Sequence, residues 1–85
     1  MLETLKAKAK EQKAHLKQYD GHFDDCVLGY VTRDVKHRGR VLVARGPVLV
    51  FPKTAKTIDD GINCINVWSL ENALETSIRR KDVKF

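Results

Sequence analysis

The apolar positions of this chain gather in its middle. Residues 40–53, RVLVARGPVLVFPK, place Val41, Leu42, Val43 and Ala44 before Arg45-Gly46, and Val48, Leu49, Val50 and Phe51 after Pro47. Four of these eight are Val, the β-branched type that suits a pleated surface and crowds a helix. Arg45-Gly46-Pro47 is a turn signal, because Gly reaches φ > 0 and Pro lacks a ladder donor. The pattern predicts a tight β-hairpin. Neither arm alternates apolar with polar residues, so both faces should be covered. One face would look into a small barrel or sandwich. The other needs a lid, and the N-terminal segment is the candidate.

Residues 1–19 read as that lid. Leu2, Leu5, Ala9, Gln12, Leu16 and Tyr19 recur at helical spacing and form one stripe. Good helix formers dominate, and no Gly or Pro interrupts before Gly21,. Lys6, Lys8, Lys10, Lys13 and Lys17 occupy the other faces, against only Glu3 and Glu11. A helix this short is marginal alone, so the stripe must dock. The two docks are the outer face of the chain's own sheet and the same helix of a second copy. Gln12 in the seam makes a weak zipper, which favours the sheet.

The remaining elements follow in order. Residues 20–25 connect, with Phe23 as an anchor at the core edge. Residues 26–32, CVLGYVT, form a strand in which Gly29 suggests a bend or bulge,. Residues 33–39 are a polar loop with Val35 as its lone apolar residue. After the central hairpin, residues 54–61 form a second loop with a turn at Asp59-Asp60-Gly61. Residues 62–68 form a strand. Residues 69–85 admit two patterns. Ser69 could cap a helix with Leu70, Leu74 and Ile78 on one face. Alternatively a hairpin turns at Glu71-Asn72, and residues 82–85 form a short final strand. The hairpin is favoured, since a four-stranded sheet would keep two open edges.

One helix, then strand, loop, hairpin, loop, strand and a short last strand resembles an SH3-like small barrel. The ending IRRKDVKF is similar to the final turn and strand of such barrels. The expected class is therefore α+β: an N-terminal amphipathic helix followed by a small five-stranded antiparallel SH3-like barrel. Residues 1–20 would be the basic helix and residues 21–85 the barrel, as one compact unit. The resemblance, to the KOW and Tudor-like part of the class, implies binding to RNA, DNA, ribosomes, RNA polymerase or modified peptides. Gly39 and Gly46 lack the usual KOW spacing. Tyr30, Phe51 and Trp68 are too scattered for a Tudor-type aromatic cage.

Charge sharpens the functional expectation. The 85 residues carry a formal charge of +5, high for the length. Between residues 33 and 56, Arg33, Lys36, Arg38, Arg40, Arg45, Lys53 and Lys56 face one acid, Asp34, with His37 among them. Arg suits bidentate phosphate contact, and such contacts give affinity that falls steeply with salt. Arg79 and Arg80, with Lys81 and Lys84, would extend the patch if the last strand lies beside the first. The ordinary alternative is a solvated basic rim. Trp68 either stacks on a base or fills the core, and burial is favoured for the only Trp of a small domain,.

Other chemistry is poorly represented. His22, Asp24, Asp25 and Cys26 match no zinc spacing. Cys26 and Cys64 read as reduced, buried thiols, with a disulfide between neighbouring strands as the alternative. There is no glycine-rich phosphate loop and no nucleophile elbow. The expectation is a small regulatory protein that is not an enzyme, has no cofactor and binds nucleic acid. The alternative is a protein-interaction regulator docking on an acidic surface of a transcription or translation complex. No apolar run is long enough for a bilayer, so a cytoplasmic monomer or weak homodimer is expected.

Overall fold

Val48, Leu49, Val50 and Phe51 are all buried, and they alternate between two cores rather than between core and solvent. The computed structural model describes residues 1–13 and 23–85, apart from the side chains of Lys13 and Asp24. The expected helical positions Leu16, Lys17 and Tyr19, the stop at Gly21, and His22 lie outside the described residues. The order is α1 (Leu2–Lys13), a 3-10 turn (Phe23–Asp25), β1 (Val27–Val31), β2 (Val35–His37), β3 (Arg40–Val43), β4 (Gly46–Ile58), a turn (Asp59–Gly61), β5 (Ile62–Ser69), β6 (Leu74–Arg79), a 3-10 turn (Arg80–Asp82) and β7 (Val83–Lys84).

Five strands form one antiparallel sheet in the order β6-β5-β4-β1-β7, and β2 and β3 form a separate pair. The α+β class with an N-terminal helix and antiparallel strands is as expected. Among the described residues the sheet does not close into a barrel. Val31, Val43, Val48, Val50, Ile65, Val67, Ile78 and Val83 make the first core. Leu5, Ala9, Phe23, Cys26, Leu49, Phe51 and Trp68 make the second, beneath α1. The helix thus docks on the chain's own sheet and covers the outer face of β4.

The central hairpin is corrected. The arms at 41–44 and 48–51 do not pair with each other. β3 pairs with β2, and β4 pairs with β1 and β5. Gly46 adopts φ 136°, a backbone state open to glycine, and there the chain leaves the small sheet for the large one. The tight turn lies seven residues earlier in the polar loop, at Arg38-Gly39, whose φ values are 53° and 78°. Positive φ at both central residues is the signature of a type I′ hairpin turn.

The second expected loop is also corrected, since β4 continues to Ile58. Its register shifts between Phe51 and Lys56, which accommodates Pro52 where no ladder donor is needed. The Thr54 hydroxyl donates to the Phe51 carbonyl at 2.6 Å and accepts the Asn66 N–H at 2.8 Å. Gly29 sits in an unbroken register with β4, so it marks close packing rather than a bulge.

The C-terminal hairpin is present, with β5 pairing β6 from Ser69↔Leu74 to Cys64↔Arg79. β7 pairs with β1 through Tyr30↔Lys84 and Val31↔Val83, which places the last strand beside the first. Cys26 and Cys64 are buried and form no disulfide; β4 lies between β1 and β5, so the two are not neighbours. No helix among the described residues is long and apolar enough to cross a membrane.

Candidate nucleic-acid interface

The first core leaves a groove of about 500 Å³ between β2 and β6, lined by Arg33, Lys36 and Arg79 among others, with Cys64 and Asp82 also in its lining. Its position follows from the topology. β2 has a strand partner only in β3, and β6 only in β5, among the described residues. The two unpaired edges therefore face a common gap. Beside it lies a second hollow of about 430 Å³, lined by Ile62, Asn63, Arg79, Arg80 and Lys81. Arg79 belongs to both, so the two basic groups of the sequence meet at that residue.

Arg33 is held in place by a carboxylate. Its Nε lies 3.0 Å from Asp82 Oδ1 and its Nη2 3.4 Å from Oδ2. Asp82 is nearly buried, with 8% of its side chain exposed against 62% for Arg33. The Asp82 carbonyl also accepts the Thr32 N–H at 2.9 Å. Asp82 thus fixes the start of the β2 segment to the end of the chain. A buried carboxylate needs a paired cation or hydrogen bonds, so part of the Arg33 charge is committed. Lys36 and Arg79 have no ion pair among the described residues. Lys56, Cys64 and Arg79 are successive cross-strand partners on β4, β5 and β6, but Lys56 lines neither hollow.

His37, Arg38 and Arg40 form a second group, on the exposed end of the β2–β3 hairpin. The hairpin is clasped from one side by the β5–β6 turn. Asn72 Nδ2 lies 3.3 Å from the Val41 carbonyl, 3.1 Å from that of Leu42 and 3.1 Å from Ser69 Oγ. Asn72 Oδ1 accepts from Arg40 Nη2 at 3.3 Å. The Ser69 hydroxyl donates to the Leu42 carbonyl, and the Glu71 carboxylate accepts the Ala44 N–H. Side chains here take the place of a neighbouring strand. Asn72→Ala should cost about 1–3 kcal/mol, because it removes the side-chain donor from the part-buried Val41 carbonyl and leaves Leu42 with the Ser69 hydroxyl alone,. Chemical denaturation and amide exchange at residues 41–43 would check this; unchanged protection there would refute the clasp.

Two predicted residues stand apart from both groups. Lys53 is directed to Asp25, 3.4 Å from its carboxylate, beside the second core rather than the groove. Arg45 is exposed at the hairpin root, where its backbone N–H donates to Asp34 Oδ1 at 2.8 Å. Arg80 is half-buried, donates to the Val83 carbonyl at 2.7 Å and lies 4.2 Å above the Phe85 ring. Trp68 is 1% exposed, which removes it as a stacking surface. Among the described residues no group of three or more His, Cys, Asp and Glu is placed to hold a metal.

Sequence reasoning left Asp82 and Asn72 out of the site and named Lys81 only within the second basic group. Nothing local marks Asp82 as the partner of Arg33, 49 residues away. No family model, curated protein or solved structure matches this chain.

Proposed function

We propose that this chain is a non-enzymatic nucleic-acid-binding module that contacts phosphates through its basic groove. The observation that carries the reading is the meeting of Arg33 and Lys36 with Arg79, Arg80 and Lys81 along two adjoining hollows. A row of cations flanking a groove suits a polyanion, and it gives sequence-independent affinity by releasing counterions. The strand order is read as an SH3-like small barrel left open between β2 and β6, with the opening as the binding face. The proposed setting is the cytoplasm, where cysteines without a disulfide, such as Cys26 and Cys64, persist in reduced form,.

The test is a titration of the full chain with DNA and RNA across a salt series. Binding should weaken linearly in log–log form. Arg79→Gln or Lys36→Gln should each reduce the slope by about 0.7–0.9. Absence of binding to any nucleic acid at low salt would overturn the proposal.

A second reading is favoured by one feature, the unpaired edges of β2 and β6 that flank the groove. An acidic extended segment of a protein partner could add there as a strand. A pull-down from nuclease-treated extract discriminates: a partner that survives nuclease and is lost in Lys36→Gln supports this second reading.

A further inference from the structure

We propose that the β2–β3 hairpin is a reader of duplex DNA, entering the major groove with Arg38 foremost. This rests on the nucleic-acid reading above and adds the form of the ligand and the element that distinguishes sequences.

The hairpin is rigid at its root and free at its tip. At the root Val43 is buried and Val35 is packed against the first core, while Asp34 and Asn72 hold the backbone on either side. From Lys36 to Arg40 every residue is exposed. A Cβ built on Gly39 would meet nothing within 4 Å. Beyond the Lys36↔Val41 pair, whose Val41 carbonyl Asn72 still holds, two residues at roughly 3.3 Å each project about 7 Å of backbone,. The major groove of B-DNA is about 8.5 Å deep and about 12 Å wide and admits a two-stranded ribbon. The extended Arg38 side chain supplies the remaining reach.

The residue at the apex is chemically suited to base edges. Arg38 sits at φ 53°, where Asn or Gly is the ordinary choice. Strain alone carries little, for Ala73 has φ 54°. What matters is that the strained position bears a guanidinium at the tip of a free-standing ribbon. Arg binds guanine O6 and N7 through two hydrogen bonds, the commonest specific contact in the major groove. His37 and Arg40 are cross-strand partners immediately behind it. β2 is also one wall of the groove that holds Arg33, Lys36 and Arg79, so phosphates flanking the inserted ribbon would meet those cations.

The same surface is ill suited to the other nucleic acids. Single strands are held largely by stacking on aromatic side chains. Among the described residues Phe23, Phe51 and Trp68 are buried. Tyr30 lines a separate apolar hollow with Met1, Leu28 and Pro47, and Phe85 lies under Arg80. Among the described residues no Phe, Tyr or Trp is part of the lining of the two basic hollows or of the β2–β3 hairpin. The major groove of duplex RNA is deep and too narrow for side chains to read.

The experiment titrates the full chain, by fluorescence anisotropy, with a mixed-sequence DNA duplex two helical turns long. The same sequence is tested as duplex RNA and as single-stranded DNA, and a set of DNA duplexes varies the base pairs. Arg38→Gly relieves the backbone strain while removing the guanidinium, so the variant should keep its thermal midpoint. It should bind duplex DNA roughly tenfold more weakly and flatten the differences between sequences. Arg79→Gln should weaken all DNA duplexes alike and lower the salt slope by about 1. Lys10→Gln, on an exposed face of α1, should change little and controls for net charge. The inference is overturned if Arg38→Gly binds duplex DNA as tightly and as selectively as the parent. It is also overturned if duplex RNA or single strands bind equally well. In those cases, retained dependence on Arg79 leaves the phosphate-binding reading standing. No binding to any probe removes both.

Discussion

Trp68→Ala is expected to lower the stability of the fold by about 3–5 kcal/mol, the range for emptying a buried Trp site. That is a large share of the roughly 5–15 kcal/mol typical of a whole domain. The indole is 1% exposed and meets the Phe23 ring edge-on at 5.3 Å between centroids. Its Nε1 donates to Gln12 Oε1 at 2.7 Å, and Gln12 Nε2 donates to the Leu70 carbonyl at 2.7 Å. The side chain therefore joins β5, the 3-10 turn and α1 at one point. Its loss should undock α1, since a helix of 12 residues has little stability alone. Far-UV circular dichroism across a denaturant titration would show helical signal lost before strand signal. Trp68→Phe keeps most of the apolar contact but leaves Gln12 Oε1 without its donor, and should cost about 1–3 kcal/mol. A cost below about 1 kcal/mol for Trp68→Ala would mean that the second core does not hold the helix.

Gly29→Ala should be the most damaging one-methyl change in the sheet. A Cβ at this position would stand 2.5 Å from Val50 Cγ2, 3.0 Å from the Lys84 carbonyl oxygen and 3.3 Å from Phe85 Cβ. Two of these neighbours cannot swing aside. Val50 is fully buried, and the Lys84 carbonyl belongs to β7, paired with β1. Overpacking of this kind costs about 1–3 kcal/mol. The response should concentrate at β7, which has only two residues in its ladder. Denaturation and amide exchange at Tyr30, Val31 and Val83 would measure it. An alanine variant as stable as the parent, with protection at those amides intact, would show that β7 is not held where the structure has it.

The two changes bear on function in different ways. Displacing β7 would disturb the adjoining turn (Arg80–Asp82) that presents Arg80 and Lys81 and carries the carboxylate beneath Arg33. The basic groove is assembled by the far end of the chain, so damage to β1 reaches it through β7. Trp68 lies on the opposite side of the sheet, and a variant that stays folded should retain the groove. Comparing phosphate affinity in Trp68→Phe and Gly29→Ala would separate the two supports.

How far the site was legible depends on the range over which each feature is set. The cations themselves were plain, as was the grouping of His37, Arg38 and Arg40, which are neighbours in the chain. The union of Arg33 and Lys36 with Arg79 was expected only on the condition that the last strand lies beside the first. It needs β6 to lie across the gap from β2, and no local signal specifies that. Asn72 was visible as a turn residue, yet its hold on the Val41 and Leu42 carbonyls depends on a turn meeting an unrelated strand edge. The β2–β3 turn was missed because Arg-Gly is a weak type I′ signal beside Asn-Gly, while Arg45-Gly46-Pro47 nearby looked stronger.

The amino-acid order alone settled which segments are helix and which are strand over most of the described chain. It also settled that β4 must be covered on both faces, and that the stripe of Leu5, Ala9 and Gln12 must dock. Those outcomes follow from side-chain shape and from spacing along a single element. Tertiary structure decided the rest: which strands pair, that β3 turns back on β2, that Gly46 redirects the chain, and that the sheet stays open beside a cationic groove. Strand pairing is a choice among distant partners of similar local propensity, and the burial of two whole cores makes that choice.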